Sequence, residues 1–228
     1  MVQGVSQGSI SILLLALAQG CDRTVSTERA PPAVQAPTAS SFELTGAKLR
    51  DADLIFQEST SRQSEMVRAL TGSRWTHMGV VFIEASGPVV LEAASTVRRT
   101  PIEAFVARGK QRRYVVKRLR NAEARLRPDV VRAMQALGER WLGRPYDLQF
   151  RWEDDSLYCS ELAHKLFERA AQVSVGRVQR ARDMNLDDER VQRALHKRFA
   201  PGGFDPDESV VTPGSMFDDA ELITVLEQ

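Results

Sequence analysis

The segment LYCSEL, Leu157 to Leu162, sets Cys159 between a tyrosine and a serine where an apolar helical pattern begins. A thiol becomes a strong nucleophile once ionised, and a helix N-terminus favours the thiolate through its partial positive charge and free backbone N–H groups. The same N–H groups could hold the oxyanion of a tetrahedral intermediate. Free cysteine is also among the most commonly buried residue types, so simple packing is the competing account until a base is found.

The chain has three histidines. His164 follows Cys159 by five positions, about 140° round a helix, so the two side chains point apart and His164 is expected at the surface. His196, in the basic amphipathic stretch RALHKRF, is expected to face solvent. His77 differs because it opens the apolar strand WTHMGVVF, where it can present its ring toward a neighbouring helix end. If the turn EASGP centres near Ser86, antiparallel pairing brings Glu92 to Ser95 opposite His77. Glu92 lies within the apolar run VVLEAAS, where a carboxylate is costly without a partner and an imidazole N–H is a natural one. The alternative is that Glu92 faces solvent from an edge strand. Three scattered histidines and one core cysteine lack the ligand spacing of a zinc site, so neither metal nor other cofactor is expected.

These groups need elements to position them. ADLIFQ (52–57) reads as a strand, and SRQSEMVRALTG (61–72) as a helix with serine at its start and glycine at its end. HMGVVFI (77–83) and VVLEAA (89–94) form a hairpin, PIEAFVARG (101–109) a short helix and RRYVVKRL (112–119) another strand. RPDVVRAMQALGERWLG (127–143) and CSELAHKLFERAA (159–171) are helices, the second carrying Leu162, Ala163, Leu166 and Phe167 on one stripe. Residues 176–206 are charged and weakly patterned, and a terminal strand closes the chain. Strands joined by short turns and mixed with helices predict an α+β domain built on an antiparallel sheet.

The 228 residues suit one well-filled core and a tail. Lysine plus arginine (31) nearly balances aspartate plus glutamate (30), so no global field recruits nucleic acid or an anionic membrane. The apolar stretch Ile10 to Ala18 is too short to span a bilayer but suits an export signal, and Gly20-Cys21 after it resembles the lipobox of bacterial lipoproteins. Residues 1–21 are thus expected to be an export or lipoprotein-type signal, with Cys21 as a membrane anchor in the cell envelope. The Pro-, Ala- and Ser-rich residues 22–41 are a linker, and 42–228 one domain with 176–206 as an insertion.

DLIFQ, WTHMGVVF, VLEAAS, GRPYDLQF and YCSELAHKLF resemble, in order and spacing, the YiiX/YebB-like group of the NlpC/P60 superfamily. The resemblance implies a circularly permuted papain-like fold in which the histidine precedes the cysteine. It implies Cys159 as nucleophile, His77 as general base and Glu92 as the residue orienting His77, the three picked from the residues alone. Gln57 could donate an amide N–H toward the site, Tyr146 could form a substrate wall beside a loop-capping Asp147, and Tyr158 and Ser160 could shape the pocket. The expected chemistry is hydrolysis of an amide or ester through an acyl-enzyme, on a cell-wall peptide or on an acyl chain carried by a lipid or amine.

A rival reading is a papain-like domain that binds a lipid or membrane surface without turnover. The stretch 109–127 carries eight basic residues against one acid, and Arg112, Arg113, Lys117 and Arg118 could touch anionic headgroups. Nucleic acid is not expected there, because stacking aromatics are scarce.

Overall fold

The computed structural model describes residues 49–200 and 203–228. The expected signal, Cys21 anchor and linker fall outside the described residues. The described residues form an α+β unit on one six-stranded, wholly antiparallel sheet in the order β4-β3-β2-β1-β5-β8. Its strands are β1 (Leu54–Ser59), β2 (His77–Glu84), β3 (Gly87–Ala93), β4 (Val97–Pro101), β5 (Gly109–Leu119) and β8 (Leu222–Glu227). Two-residue strands β6 (Gln179–Arg180) and β7 (Ser209–Val210) pair with each other apart from it.

The central strands read as nearly unbroken apolar runs because both faces of the sheet are covered. Leu54, Phe56, Met78, Val80 and Leu91 join a core with helices α4 (Pro128–Trp141) and α5 (Cys159–Leu166). Ile55, Val81, Val90 and Val116 point the other way, onto Ile102, Phe105 and Val106 of α2 (Ile102–Ala107). Strand period two assigns each residue its side, so a one-residue slip would exchange the two cores.

Helix α1 (Arg62–Thr71) begins and ends as its sequence predicts. Ser61 accepts the N–H of Ser64 at the start, and Gly72 (φ 66°) closes the helix with its N–H on the Arg68 carbonyl. The expected helix from Cys159 to Ala171 instead ends as α-helix at Leu166 and continues as a π turn over Phe167–Ala171, stopped by left-handed Gln172. Strand β4 was not anticipated, because its polar sequence VRRTP conceals an edge strand. The weakly patterned 176–206 segment holds β6, a 3-10 turn and helix α6 (Glu189–Arg198), which packs Val191 onto Met66, Ala69 and Leu70 of α1. A four-residue helix α3 (Ala122–Arg125) and the short α7 (Pro213–Phe217) complete the set.

Part of the basic stretch is engaged inside the fold, while Arg112 and Arg113 are exposed. Lys117 is buried and donates to the Phe217 carbonyl, while Arg118 pairs with Asp53 at 2.7 Å and Lys110 with Glu58 at 2.8 Å. Between Gly109 and Tyr114 the strand bulges, with Gln111 and Arg112 at positive φ.

Candidate active site

The β2–β3 hairpin sets the first pair. Val80 lies opposite Leu91, and that register continued places Gly79 opposite Glu92 and His77 one diagonal step away. The two side chains therefore share a face and meet, His77 Nε2 to Glu92 Oε2 at 2.6 Å. Gly79 keeps the space between them open. A Cβ there would lie 2.4 Å from Val90 Cγ1 and 2.8 Å from the Leu91 carbonyl.

Glu92 is fully buried and sits one strand in from the edge, which overturns the solvent-facing alternative. Its carboxylate is held on all sides: Thr100 Oγ1 donates at 2.6 Å, Arg98 Nε at 3.3 Å, and Arg108 Nη2 also donates to it. Burial alone would raise its pKa, but the bonds from His77 and Thr100 and the Arg108 charge outweigh burial and hold the carboxyl down at about 2. On the histidine, burial pushes the pKa down, and hydrogen bonds with Cys159 and Glu92 outweigh it and lift the imidazole to about 9. The ring stacks on Phe105, with centroids 5.5 Å apart. Glu92 takes Nε2, which leaves Nδ1 as the nitrogen for the thiol.

Cys159 arrives from the opposite face. It is the first residue of α5, whose Leu162, Ala163 and Leu166 are buried in the α4/α5 core, and it meets His77 at the end of the sheet where β2 begins. The helix start is firmly set. Glu161 Oε2 accepts the Tyr158 N–H at 3.2 Å, and Glu161, pushed up to about 8 chiefly by burial, pairs with equally buried Lys165 at 2.7 Å. The first-turn N–H groups of an α-helix have no intrahelical acceptor, so those of α5 point out of the helix end beside the sulfur.

The other expected site residues divide. Tyr146, Tyr158 and Ser160 line one cavity with Cys159. Two of them also anchor the chain, since Ser160 Oγ donates to the Val211 carbonyl at 2.9 Å and the Tyr158 hydroxyl accepts the Val211 N–H at 3.1 Å. Burial, and next the negative charge of a Cys159 thiolate, raise the Tyr146 phenol well above its usual pKa, so it stays a neutral donor. Asp147 caps its loop, accepting the backbone N–H groups of Gln149 and Arg151. Gln57 is paired with His77 in the sheet and buried, but it is not among the residues lining that cavity, and neither atom of its amide has a hydrogen-bond partner among the described residues.

His164 is a correction. It is buried, not surface-exposed, with Nδ1 bonded to the Val175 carbonyl at 2.7 Å, because residues 173–175 fold back over α5. His196 is exposed as expected. Sequence reasoning missed Gly79, Arg98, Thr100 and Arg108. Of these only Gly79 carried a signal, a lone glycine inside a strand pattern.

A helix-borne cysteine, a strand-borne histidine earlier in the chain and a buried carboxylate define the class of permuted papain-like proteins. The chain belongs to the family described as permuted papain-like amidase enzyme, YaeF/YiiX, C92, which matches residues 48–226. A relative described as uncharacterized protein YiiX, from Escherichia coli (strain K12), is 34% identical over 176 residues, spanning 77% of this chain and 85% of the relative. A crystal structure described as metalloprotein yiiX from Escherichia coli O157:H7 superposes with a TM-score of 0.74 at 33% identity, covering 79% of this chain and 98% of that one. The family supports a hydrolase of papain-like type.

Proposed function

We propose that this protein is a thiol hydrolase that cleaves an amide or ester through an acyl-enzyme on Cys159. The observation that carries the reading is the 2.6 Å bond between His77 and the buried Glu92, with Cys159 acting on the same imidazole from the start of α5. The Sγ proton passes to His77, and a bond forms between sulfur and the substrate carbonyl carbon while the oxygen charge is received by the N–H groups at the start of α5. The C–N or C–O bond then breaks, and His77 gives its proton to the leaving group. Water attacks the thioester, returning a proton through His77 and freeing the acid and the thiol. Glu92 stays ionised throughout and fixes which ring nitrogen faces the sulfur.

In this reading the substrate is a cell-wall peptide or an acyl chain on a lipid or amine, and Tyr146, Tyr158 and Ser160 shape its pocket. Residence in the cell envelope, with anchoring through Cys21, belongs to the same proposal, as does membership of the wider NlpC/P60 superfamily. The Escherichia coli structure is described as a metalloprotein. Here no group of three or more His, Cys, Asp or Glu side chains among the described residues could hold a metal ion, and the Glu92 carboxylate already receives four side chains. The residues present do not fit a metal, and each step above uses the chain's own groups.

The test is intact-mass analysis after mixing with an activated ester. One acyl adduct, mapped to Cys159 and lost in Cys159→Ala, is the expected result; an adduct that persists in that variant would sink the assignment.

A further inference from the structure

We infer that Arg198 of α6, with Gln63 of α1 and Tyr146, forms a subsite for a carboxylate of the substrate, so that the enzyme acts on amides or esters carrying a free acid group. This rests on the thiol-hydrolase reading and narrows its substrate. Arg198 Nη2 donates to Gln63 Oε1 at 2.7 Å, which fixes the other atom of that amide, Nε2, as a donor. Arg198 Nη1 and Gln63 Nε2 are both buried, and neither has a hydrogen-bond acceptor among the described residues. Tyr146 adds a third donor beside them, since both side chains act on its phenol, Gln63 without a well-formed bond and Arg198 through its charge.

Buried polar groups in folded proteins nearly always find a partner, so two orphaned donors on one hydrogen-bonded pair mark a place that lacks an acceptor. The described residues supply none. Arg68, Arg108 and Arg118 each meet a carboxylate. The acid acting on Arg198 is Asp147, and its oxygens are taken by the backbone N–H groups of Gln149 and Arg151. A carboxylate from the substrate satisfies the arrangement, because it only accepts, offers two oxygens and cancels the guanidinium charge. An uncharged alkyl chain would leave the cation unpaired. The place adjoins the chemistry. Arg198 Cζ lies 5.6 Å from the Phe150 ring centroid, and Phe150 and Tyr146 line the space beside Cys159. Arg198 and Gln63 stand next to that wall and not on it, so the acid group is held at one end of the substrate while the reacting carbonyl sits at the sulfur. Substrate choice is therefore made where α1 meets the 176–206 segment, which supplies none of Cys159, His77 and Glu92.

The test uses the full chain and p-nitrophenyl half-esters of dicarboxylic acids, from adipate to sebacate, each beside its methyl ester, following acylation of Cys159 by intact mass and peptide mapping. For at least one length the half-ester should acylate about tenfold faster than its methyl ester, the scale expected of hydrogen bonds to a charged group. Arg198→Met, which keeps the apolar stem and removes the donors, should bring that ratio close to one. Arg198→Lys, which keeps the charge without the two-pronged fork, should leave it in between. Gln63→Leu should lower the ratio from a different element, and it keeps the test decisive if the α6 variants do not fold. Because the readout is a ratio within each protein, a general loss of folded protein does not imitate it. No preference for the half-ester at any length, or a preference that neither Arg198→Met nor Gln63→Leu alters, would overturn the carboxylate site and leave the nucleophile standing. No labelling of Cys159 by any ester would overturn the thiol-hydrolase reading, and the carboxylate site with it.

Discussion

At the residue scale, His77 and Glu92 tie the pH behaviour of the protein to one hydrogen bond. The imidazole is raised from 6.5 to about 9 in the folded chain, so its stabilising contribution is complete below pH 6.5 and is lost as pH rises toward 9. The carboxyl is lowered from 4.5 to about 2, so its contribution is complete above pH 4.5 and is lost as pH falls toward 2. The stability that this pair contributes, read as the difference between the wild type and His77→Ala in denaturant unfolding across pH, should be flattest between about 4.5 and 6.5 and decline on both sides. Catalysis should follow the same group. Leaving-group protonation needs the imidazolium, so the activity of the wild type is expected to fall through about pH 9. Glu92→Gln removes the negative partner and should move both that limb and the NMR titration of His77 to lower pH; an unchanged His77 titration would show that the pair is not coupled.

At the scale of elements, much was readable. The helix α1 showed its own start and stop in Ser61 and Gly72, and the turn at EASGP allowed Glu92 to be placed near His77 before any coordinates. What could not be read depends on partners distant in sequence. The sequence of β4 is polar because Arg98 and Thr100 are donors to Glu92, not because it is a loop. His164 carries no local sign of burial, since the segment that covers it lies beyond the helix. The basic run 109–127 looks uniform, yet Arg118, Lys110 and Lys117 are assigned separately to Asp53, Glu58 and the Phe217 carbonyl. Two substitutions test the elements that aim the site. Gly79→Ala forces a methyl against the Val90 side chain and the Leu91 carbonyl and should cost about 1–3 kcal/mol, with a loss of activity larger than the loss of folded protein. Glu161→Ala leaves buried Lys165 with only Asp154 and the Glu153 carbonyl and frees the start of α5, and a loss of about 1–3 kcal/mol in denaturant unfolding is expected. Activity unaffected by either change would mean that these elements do not set the geometry of the site.

At the scale of the whole molecule, the sheet separates the two halves of the site. His77 and Glu92 lie on the side covered by α2, Cys159 belongs to the core on the other side, and they meet only at the end of β2. The family resemblance implied the permuted arrangement, histidine before cysteine, but which face each occupies follows from a register that only the paired strands define. A site of this kind exists only while the sheet is intact. The enhanced reactivity of Cys159 should therefore vanish at the same denaturant concentration as the far-ultraviolet signal, in one transition. The central claim, that His77 activates Cys159, is tested most directly by the rate of iodoacetamide alkylation of Cys159 at pH 7, measured in a Cys21→Ser background with and without His77→Ala. The account predicts that alkylation slows at least about tenfold when the imidazole is removed. Equal rates in the two proteins would contradict it and leave Cys159 as a packing residue at the head of α5.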